Sequence, residues 1–145
     1  MPTRTARTAW NGTLQEGSGQ VELTSSGLGT YEVSWPNRNA DSPGGRTSPE
    51  ELIAAAHSAC YSMALSAEIA KAGGTPQSLE VTADVSFGAD PAGGARLAGI
   101  KLTVRAEVEG LDGAGFQAAA EQAKVGCPVS KALTGVEISL DAALE

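Results

Sequence analysis

The chain has 145 residues, of which 41% are hydrophobic and 4% aromatic, and its formal net charge is −7. This size and composition are typical of one globular domain whose core is built from small aliphatic side chains, so we predict a single domain over residues 1–145. The acidic charge and the lack of any run of Lys or Arg argue against a nucleic-acid-binding surface, so no nucleic-acid partner is expected.

The first ten residues, MPTRTARTAW, carry basic side chains without the apolar stretch of a secretory signal. No apolar run reaches the roughly 20 residues that a membrane-spanning helix requires. We therefore expect a cytoplasmic protein without membrane contact. In that compartment, cysteines are more often reactive or metal-binding than joined in a permanent structural disulfide.

The first third of the chain has weak strand patterns. Residues 20–24 and 30–35 fit strands separated by the turn sequence SSGLG, and residues 7–14 fit another strand. The Gly/Pro-rich stretch 36–45 follows, and we interpret it as a functional loop that wraps the next element.

Residues 49–72 predict a long helix. Ser48 suits its N-cap, Pro49 suits the first helical position, and Glu51 completes a capping box with Ser48. A Gly-Gly pair ends the helix. Between these signals nearly every side is apolar or small, which is typical of a helix buried all round. At 1.5 Å per residue the helix would be roughly 36 Å long.

The second half of the chain returns to strands. Residues 79–88 and 100–109 alternate apolar and polar side chains, and the loop ADPAGGA between them would close a hairpin. Helices fit residues 114–125 and a short segment from Pro128, before a last alternating stretch at residues 136–140. This order predicts the α+β class, with a long buried central helix packed against an antiparallel or mixed sheet.

Two cysteines are the candidate reactive groups. Cys60 lies inside the long helix, and Cys127 lies directly before Pro128. Each also fits an inert buried side chain, which is the usual place of a free cysteine. By electrostatics alone Cys127 is the better thiolate, because the start of a helix favours negative charge, whereas Cys60 in mid-helix needs a cation brought to it.

His57 lies on the same helix face as Cys60. Together with Cys60 and Cys127 it could supply three metal ligands, but without a CxxC pair this signal is weak, and a hydrogen-bonded core or interface histidine fits better. We predict no metal site. The residues alone leave three interpretations open: a thiol enzyme, a non-catalytic binding module with inert cysteines, and a redox- or metal-sensing protein.

Three segments carry a family resemblance. They are TAWNG at residues 8–12, SPEELIAAAHSACYSMALS at 48–66 and AKVGCPVSKAL at 123–133. In this order and spacing they resemble the OsmC/Ohr family of thiol-dependent organic hydroperoxide peroxidases, and the HSAC form resembles its OsmC branch. The Ohr branch has another residue type at His57, which implies that this histidine is not essential to the chemistry.

The resemblance implies an intertwined homodimer with two active sites at the subunit interface. Cys60 would be the peroxidatic cysteine and Cys127 the resolving one. Glu50 matches the family's active-site glutamate, and Arg38 best matches its arginine. The loop between these two residues is slightly longer than in the family, which leaves Arg46 as an alternative.

The resemblance also implies a reaction cycle in oxidative and osmotic stress defence. Arg38, oriented by Glu50, would hold Cys60 as the thiolate that attacks an organic hydroperoxide and becomes a sulfenic acid. Cys127 would condense with it to a disulfide, and a lipoyl-type dithiol or lipoylated protein would reduce that disulfide. No bound cofactor is implied. The alanine-rich surroundings favour alkyl hydroperoxides over hydrogen peroxide.

The helix spacing constrains where the site residues come from. Glu50 and Cys60 are ten residues apart, which is roughly 15 Å along a straight helix. We therefore predict that the Arg/Glu pair and the Cys60 of one site come from different subunits, unless the helix breaks.

Overall fold

The computed structural model describes residues 1–145, whose contacts form two compact units, residues 1–52 and 53–145. The strands and the long helix follow the predicted order and the α+β class is confirmed, whereas the expectation of one domain stays a prediction. The elements in chain order are β1 (Arg7–Asn11), β2 (Ser18–Glu22), β3 (Thr30–Val33), α1 (Trp35–Arg38), α2 (Pro49–Lys71), β4 (Thr75–Ala89), β5 (Ala95–Glu109), α3 (Gly113–Gly126), α4 (Pro128–Ala132) and β6 (Ile138–Leu144).

The first unit is built on a three-stranded antiparallel sheet in the order β1-β2-β3. After β3, the hydroxyl of Ser34 accepts a hydrogen bond from the backbone N–H of Asn37 and caps the short helix α1. Pro36 fits the first turn of this helix, where no N–H partner is required. The stretch 36–45, which the sequence predicted to be loop throughout, therefore begins inside a helix that ends at Arg38.

The start of α2 also belongs to this unit. Ser48 Oγ accepts a hydrogen bond from the N–H of Glu51 at 3.1 Å, as predicted for an N-cap. The Glu51 carboxylate instead accepts from Thr47 Oγ1 at 2.6 Å, so it is the Ser48 half of the predicted capping box that forms.

The second unit contains a mixed sheet in the order β4-β5-β6. β4 and β5 form the predicted antiparallel hairpin, from Thr75 opposite Glu109 to Ala89 opposite Ala95. β6 pairs with β5 in parallel, so the chain between them must return along the sheet, and this crossover contains α3 and α4.

The core of the second unit lies between this sheet and two helices. From α2 a stripe of fully buried side chains at four-residue spacing enters the core: His57, Tyr61, Leu65 and Ile69. Tyr61, Leu65 and Ile69 pack with buried residues of β5 and of α3, and the hydroxyl of Tyr61 donates to the carbonyl of Ala120 at 2.9 Å. This packing fixes α2 and α3 relative to the sheet.

Within one chain, α2 is buried on one stripe rather than on every side as its composition predicted. Ala55, Ala56, Ala59 and Met63 are exposed, and Met63 retains 74% of its accessible surface. An apolar helix face is thus left without a partner in the single chain. No helix of the structure, α2 included, combines the length and apolar character required to cross a membrane.

Candidate active site

The two cysteines, distant in sequence, come together in the second unit. Both are free, and each thiol shifts the pKa of the other, so the two side chains are neighbours. Cys60 is half-buried on α2, whereas Cys127 is fully buried between α3 and α4. The backbone of Cys127 is held on both sides, because its N–H donates to Ala123 and its carbonyl accepts from Lys131. Two neighbouring free thiols can form a reversible disulfide.

The surroundings of the two thiols act on them in opposite directions. Burial raises the pKa of Cys60, and although the N–H of Val129 offsets part of this, the hydrogen bond and the charge of Cys127 raise it further. Burial also raises the pKa of Cys127, but hydrogen bonds from the Ser130 backbone, the Cys60 thiol, the Ser130 hydroxyl and the Val129 backbone outweigh burial and lower its pKa overall. Cys127 is thus the more acidic thiol, in the direction predicted from its place at the start of a helix.

His57 is a core histidine with one hydrogen-bond partner. Its Nε2 lies 2.8 Å from Ser130 Oγ, and its Nδ1 is buried without a partner. Burial lowers the pKa of His57, so the neutral imidazole is favoured. No group of three or more His, Cys, Asp or Glu side chains in the chain is placed to hold a metal ion.

Arg38 and Glu50 form an ion pair in the first unit. Arg38 Nη2 lies 2.7 Å from Glu50 Oε1, and Arg38 Nε lies 3.0 and 3.2 Å from the two carboxylate oxygens. Glu50 is 8% exposed and lies in the first turn of α2, where the helix dipole favours its charge. Arg46 bonds elsewhere, to Asn37 Oδ1 at 3.0 Å and to Glu32 at 3.3 Å. Of the two arginines considered, Arg38 is therefore the one paired with Glu50.

A largely apolar cavity of about 400 Å³ opens beside Arg38 in the same unit. It is formed by the three-stranded sheet, α1 and the start of α2. The guanidinium is its one charged lining group, and most of its wall consists of the side chains of Trp10, Leu14, Val21, Val33, Trp35 and Leu52. A cavity with apolar walls and a single cation suits a ligand with a greasy body and a polar or anionic group.

Comparison with known proteins places the chain in a family. A family model described as OsmC-like protein matches residues 42–141. The chain belongs to the OsmC family. It is 42% identical over 132 residues to Peroxiredoxin OsmC of Escherichia coli (strain K12), covering 91% of this chain and 90% of that protein. The family membership predicted from the three sequence segments is confirmed.

Organic hydroperoxide resistance proteins are also similar to this chain. It is 35% identical over 98 residues to OhrA of Bacillus subtilis (strain 168), with 67% of each chain covered. The crystal structure of OhrB of Bacillus subtilis matches 96% of this chain and 98% of its own, with a TM-score of 0.76 and 28% identity. The fold is therefore shared with solved structures of the OsmC family.

One buried residue of this OsmC-family chain was missed by the sequence prediction. Ser130 hydrogen bonds to His57, and its hydroxyl and backbone N–H lower the pKa of Cys127. Its spacing of three residues from Cys127 at a predicted helix start was the signal that could have identified it, since such residues share a helix face. The cavity wall was also missed, because its side chains come from segments scattered along the first 52 residues.

Proposed function

We propose that this OsmC-family protein is a thiol-dependent peroxidase that reduces organic hydroperoxides to alcohols. The observation that carries the proposal is the contact between two free thiols, Cys60 and Cys127, one half-buried and the other fully buried. The names of the relatives support the substrate class, because they include a peroxiredoxin and an organic hydroperoxide resistance protein.

The proposed cycle begins at Cys60, because it is the thiol that retains some exposure. Its thiolate attacks one peroxide oxygen, the O–O bond breaks, and the alkoxide leaves and takes a proton to become the alcohol. The product on the enzyme is a sulfenic acid. Cys127 then attacks the sulfenic sulfur, which forms the disulfide and releases water. Two exchange steps with an external dithiol restore both thiols.

Cys60 requires a cation, because its surroundings within one chain raise its pKa. We propose Arg38 as that cation and Glu50 as the carboxylate that orients the guanidinium. Helix α2 is unbroken from Pro49 to Lys71, and ten residues along it correspond to about 15 Å. The proposed site therefore takes its Arg/Glu pair from one subunit and its cysteines from the other.

A homodimer is the assembly that this arrangement requires. The exposed apolar face of α2, which includes Ala59 and Met63, supports it, since such a face is stabilised by covering it with another apolar surface. A closed dimer would contain two equivalent sites. A lipoyl-type dithiol or lipoylated protein as the reductant, a cytoplasmic location and a role in stress defence remain predictions from the family.

Thiol counting tests the peroxidase directly. Reduced protein mixed with one equivalent of cumene hydroperoxide in a stopped-flow instrument is expected to lose two thiols per chain, because Cys60 and Cys127 end as one disulfide. The disulfide is identified by mass spectrometry of unreduced peptides. Protein that consumes no peroxide and keeps both thiols would reject the proposal.

The apolar cavity beside Arg38 predicts the substrate preference. We propose that it holds the organic group of the hydroperoxide, so kcat/KM for cumene hydroperoxide should exceed that for hydrogen peroxide by about a hundredfold or more. Leu14→Ser, at the cavity wall, should lower the cumene value several-fold and leave hydrogen peroxide turnover unchanged. Leu28→Ser is the matched control, because Leu28 is an exposed leucine of the same unit that does not line the cavity. An equal loss on both peroxides would argue against this role.

A further inference from the structure

We propose that the buried pair His57 and Ser130 prepares Cys127 for the second step of the cycle. In this proposal His57 orients the Ser130 hydroxyl toward the sulfur of Cys127, and the hydroxyl holds that sulfur as the attacking thiolate. The inference rests on the proposed peroxidase function for its chemistry. It assigns a role to two residues that the reduction of the peroxide itself does not use.

The geometry forms a continuous chain of contacts inside the second unit. His57 Nε2 lies 2.8 Å from Ser130 Oγ, the Ser130 hydroxyl is close enough to the Cys127 thiol to lower its pKa, and Cys127 and Cys60 shift the pKa of each other. The first three residues of this chain are buried, with 0% exposure for His57 and Cys127 and 6% for Ser130. Buried polar contacts of this kind are stronger than exposed ones, because water does not compete for them.

Two helices impose this arrangement. His57 and Cys60 are three residues apart on α2, so both side chains project from neighbouring positions of one face. Cys127 and Ser130 have the same spacing across the start of α4, so the serine hydroxyl returns toward the sulfur. Where α2 and α4 meet, His57 therefore lies beside Ser130, and Cys60 lies beside Cys127.

The direction of the hydrogen bonds follows from the unpartnered nitrogen of His57. If the proton were on Nδ1, a buried N–H donor would have no acceptor, which folded proteins rarely tolerate. The favoured tautomer carries its proton on Nε2 and donates to Ser130 Oγ. Because this bond uses the serine oxygen as the acceptor, the single hydroxyl proton of Ser130 is left to donate to Cys127.

The chemistry balances with no additional reactant. The Cys127 thiolate attacks the sulfenic sulfur of Cys60, the S–S bond forms and the S–O bond breaks. The hydroxide that leaves takes up the proton that the Cys127 thiol released, so the step produces one disulfide and one water. The sulfenic sulfur is reduced and the Cys127 sulfur is oxidised. Ser130 contacts a reacting atom and is a catalytic residue, whereas His57 acts through it and is a positioning residue.

Rapid-mixing kinetics separate this step from the first one. In Ser130→Ala we expect disulfide formation to slow by about tenfold relative to sulfenic acid formation, because one charge-assisted hydrogen bond is lost. The sulfenic acid should accumulate and be trapped by dimedone. Ser130→Thr retains the hydroxyl and should restore the wild-type rate of disulfide formation relative to sulfenic acid formation. Ser62→Ala is the matched control, because the Ser62 hydroxyl bonds only to a backbone carbonyl of its own helix.

His57 offers an independent pair of variants. His57→Gln retains a side-chain N–H donor and should keep the rate of disulfide formation, relative to that of sulfenic acid formation, near the wild-type value. His57→Leu should lower this relative rate as Ser130→Ala does. Disulfide formation that is slowed equally in His57→Gln and His57→Leu would overturn the proposal. Normal disulfide formation in Ser130→Ala would also overturn it.

A titration gives a readout that does not depend on turnover. In Cys60→Ser, Cys127 is the one remaining cysteine, so the ultraviolet absorbance of the thiolate has no contribution from a second thiol. Adding Ser130→Ala should move the titration midpoint upward by about one to two pH units. The neighbouring Tyr61 does not interfere, because burial raises its pKa far above that of a thiol. An unchanged midpoint would overturn the proposal, whereas a wild type that forms no sulfenic acid would instead reject the peroxidase.

Discussion

Cys60→Ser is expected to abolish hydroperoxide turnover, with kcat/KM falling by more than about a thousandfold. The serine hydroxyl is not ionised at neutral pH and is a far weaker nucleophile than a thiolate, so the O–O bond is not attacked. The measurement is the consumption of cumene hydroperoxide in the presence of a dithiol reductant. The variant still contains Cys127 and differs from the wild type by one atom, so a loss of activity in folded protein is due to the missing Cys60 sulfur.

Cys127→Ser is the matched comparison, because it removes the partner thiol and leaves Cys60 in place. This variant should reduce one equivalent of peroxide and then stop, with Cys60 advancing to the sulfinic acid when more peroxide is added. Mass spectrometry of the peptide containing Cys60 identifies the product. The opposite result, with Cys127 oxidised in Cys60→Ser and no reaction in Cys127→Ser, would exchange the two roles and favour the thiol that is more acidic within one chain.

Co-expression of Arg38→Ala with Cys60→Ser is expected to restore activity that neither variant has alone. If each site joins the arginine of one subunit to the cysteine of the other, a mixed dimer contains one complete site. Random pairing then restores about a quarter of the wild-type activity. The measurement is hydroperoxide turnover of the mixture against each variant alone, at equal total protein.

The control for this experiment combines two defects on the same side of the site. A mixture of Arg38→Ala with Glu50→Ala leaves no complete Arg/Glu pair in any dimer, so no restoration is expected. Absence of restoration in the test mixture would show that the arginine and the cysteine act within one subunit. Restoration in the control would instead show that the arginine and the glutamate of one site come from different subunits. Arg46→Ala mixed with Cys60→Ser checks the other arginine.

Local patterns predicted most of the elements of the fold. Strands β4 and β5 were visible because their side chains alternate between the core and solvent, and the Pro/Gly loop between them fixed the hairpin. Both strands are longer than predicted, since Thr75–Ser78 and Ala95–Gly99 pair through the backbone without alternating side chains. Helix α2 was bounded by Ser48 and by the glycines after Lys71, whose roles are local.

Non-local features were not predictable in the same way. An alternating strand has the same period in a parallel or an antiparallel pair, so the sequence could not show that β6 runs parallel to β5. The sequence pattern of an apolar helix face is the same whether another element of the chain or another molecule covers it. Burial of α2 on every side was predicted for this reason. Helix α1 is four residues long and carries too little periodicity to detect.

The candidate site was predicted by different kinds of information. The roles of Cys60 and Cys127 came from the family motifs, and their contact in the structure agrees with a redox pair without testing the roles. The choice between Arg38 and Arg46 could not be made from loop length, whereas the hydrogen bonds to Glu50 favour Arg38. Ser130 carries no reactive group of its own, so its contacts with His57 and Cys127 emerge only in three dimensions.

The parallel pairing of β6 with β5 has a consequence for biogenesis. Cys127 lies in the crossover, so its position is fixed at both ends only after the last strand has joined the sheet. β6 leaves the ribosome after β5, α3 and α4, and contacts between distant segments form slowly. The nascent chain therefore exposes Cys60 well before its partner thiol is in place. We therefore expect over-oxidation of Cys60 under peroxide stress to be more frequent in newly made chains than in the folded protein.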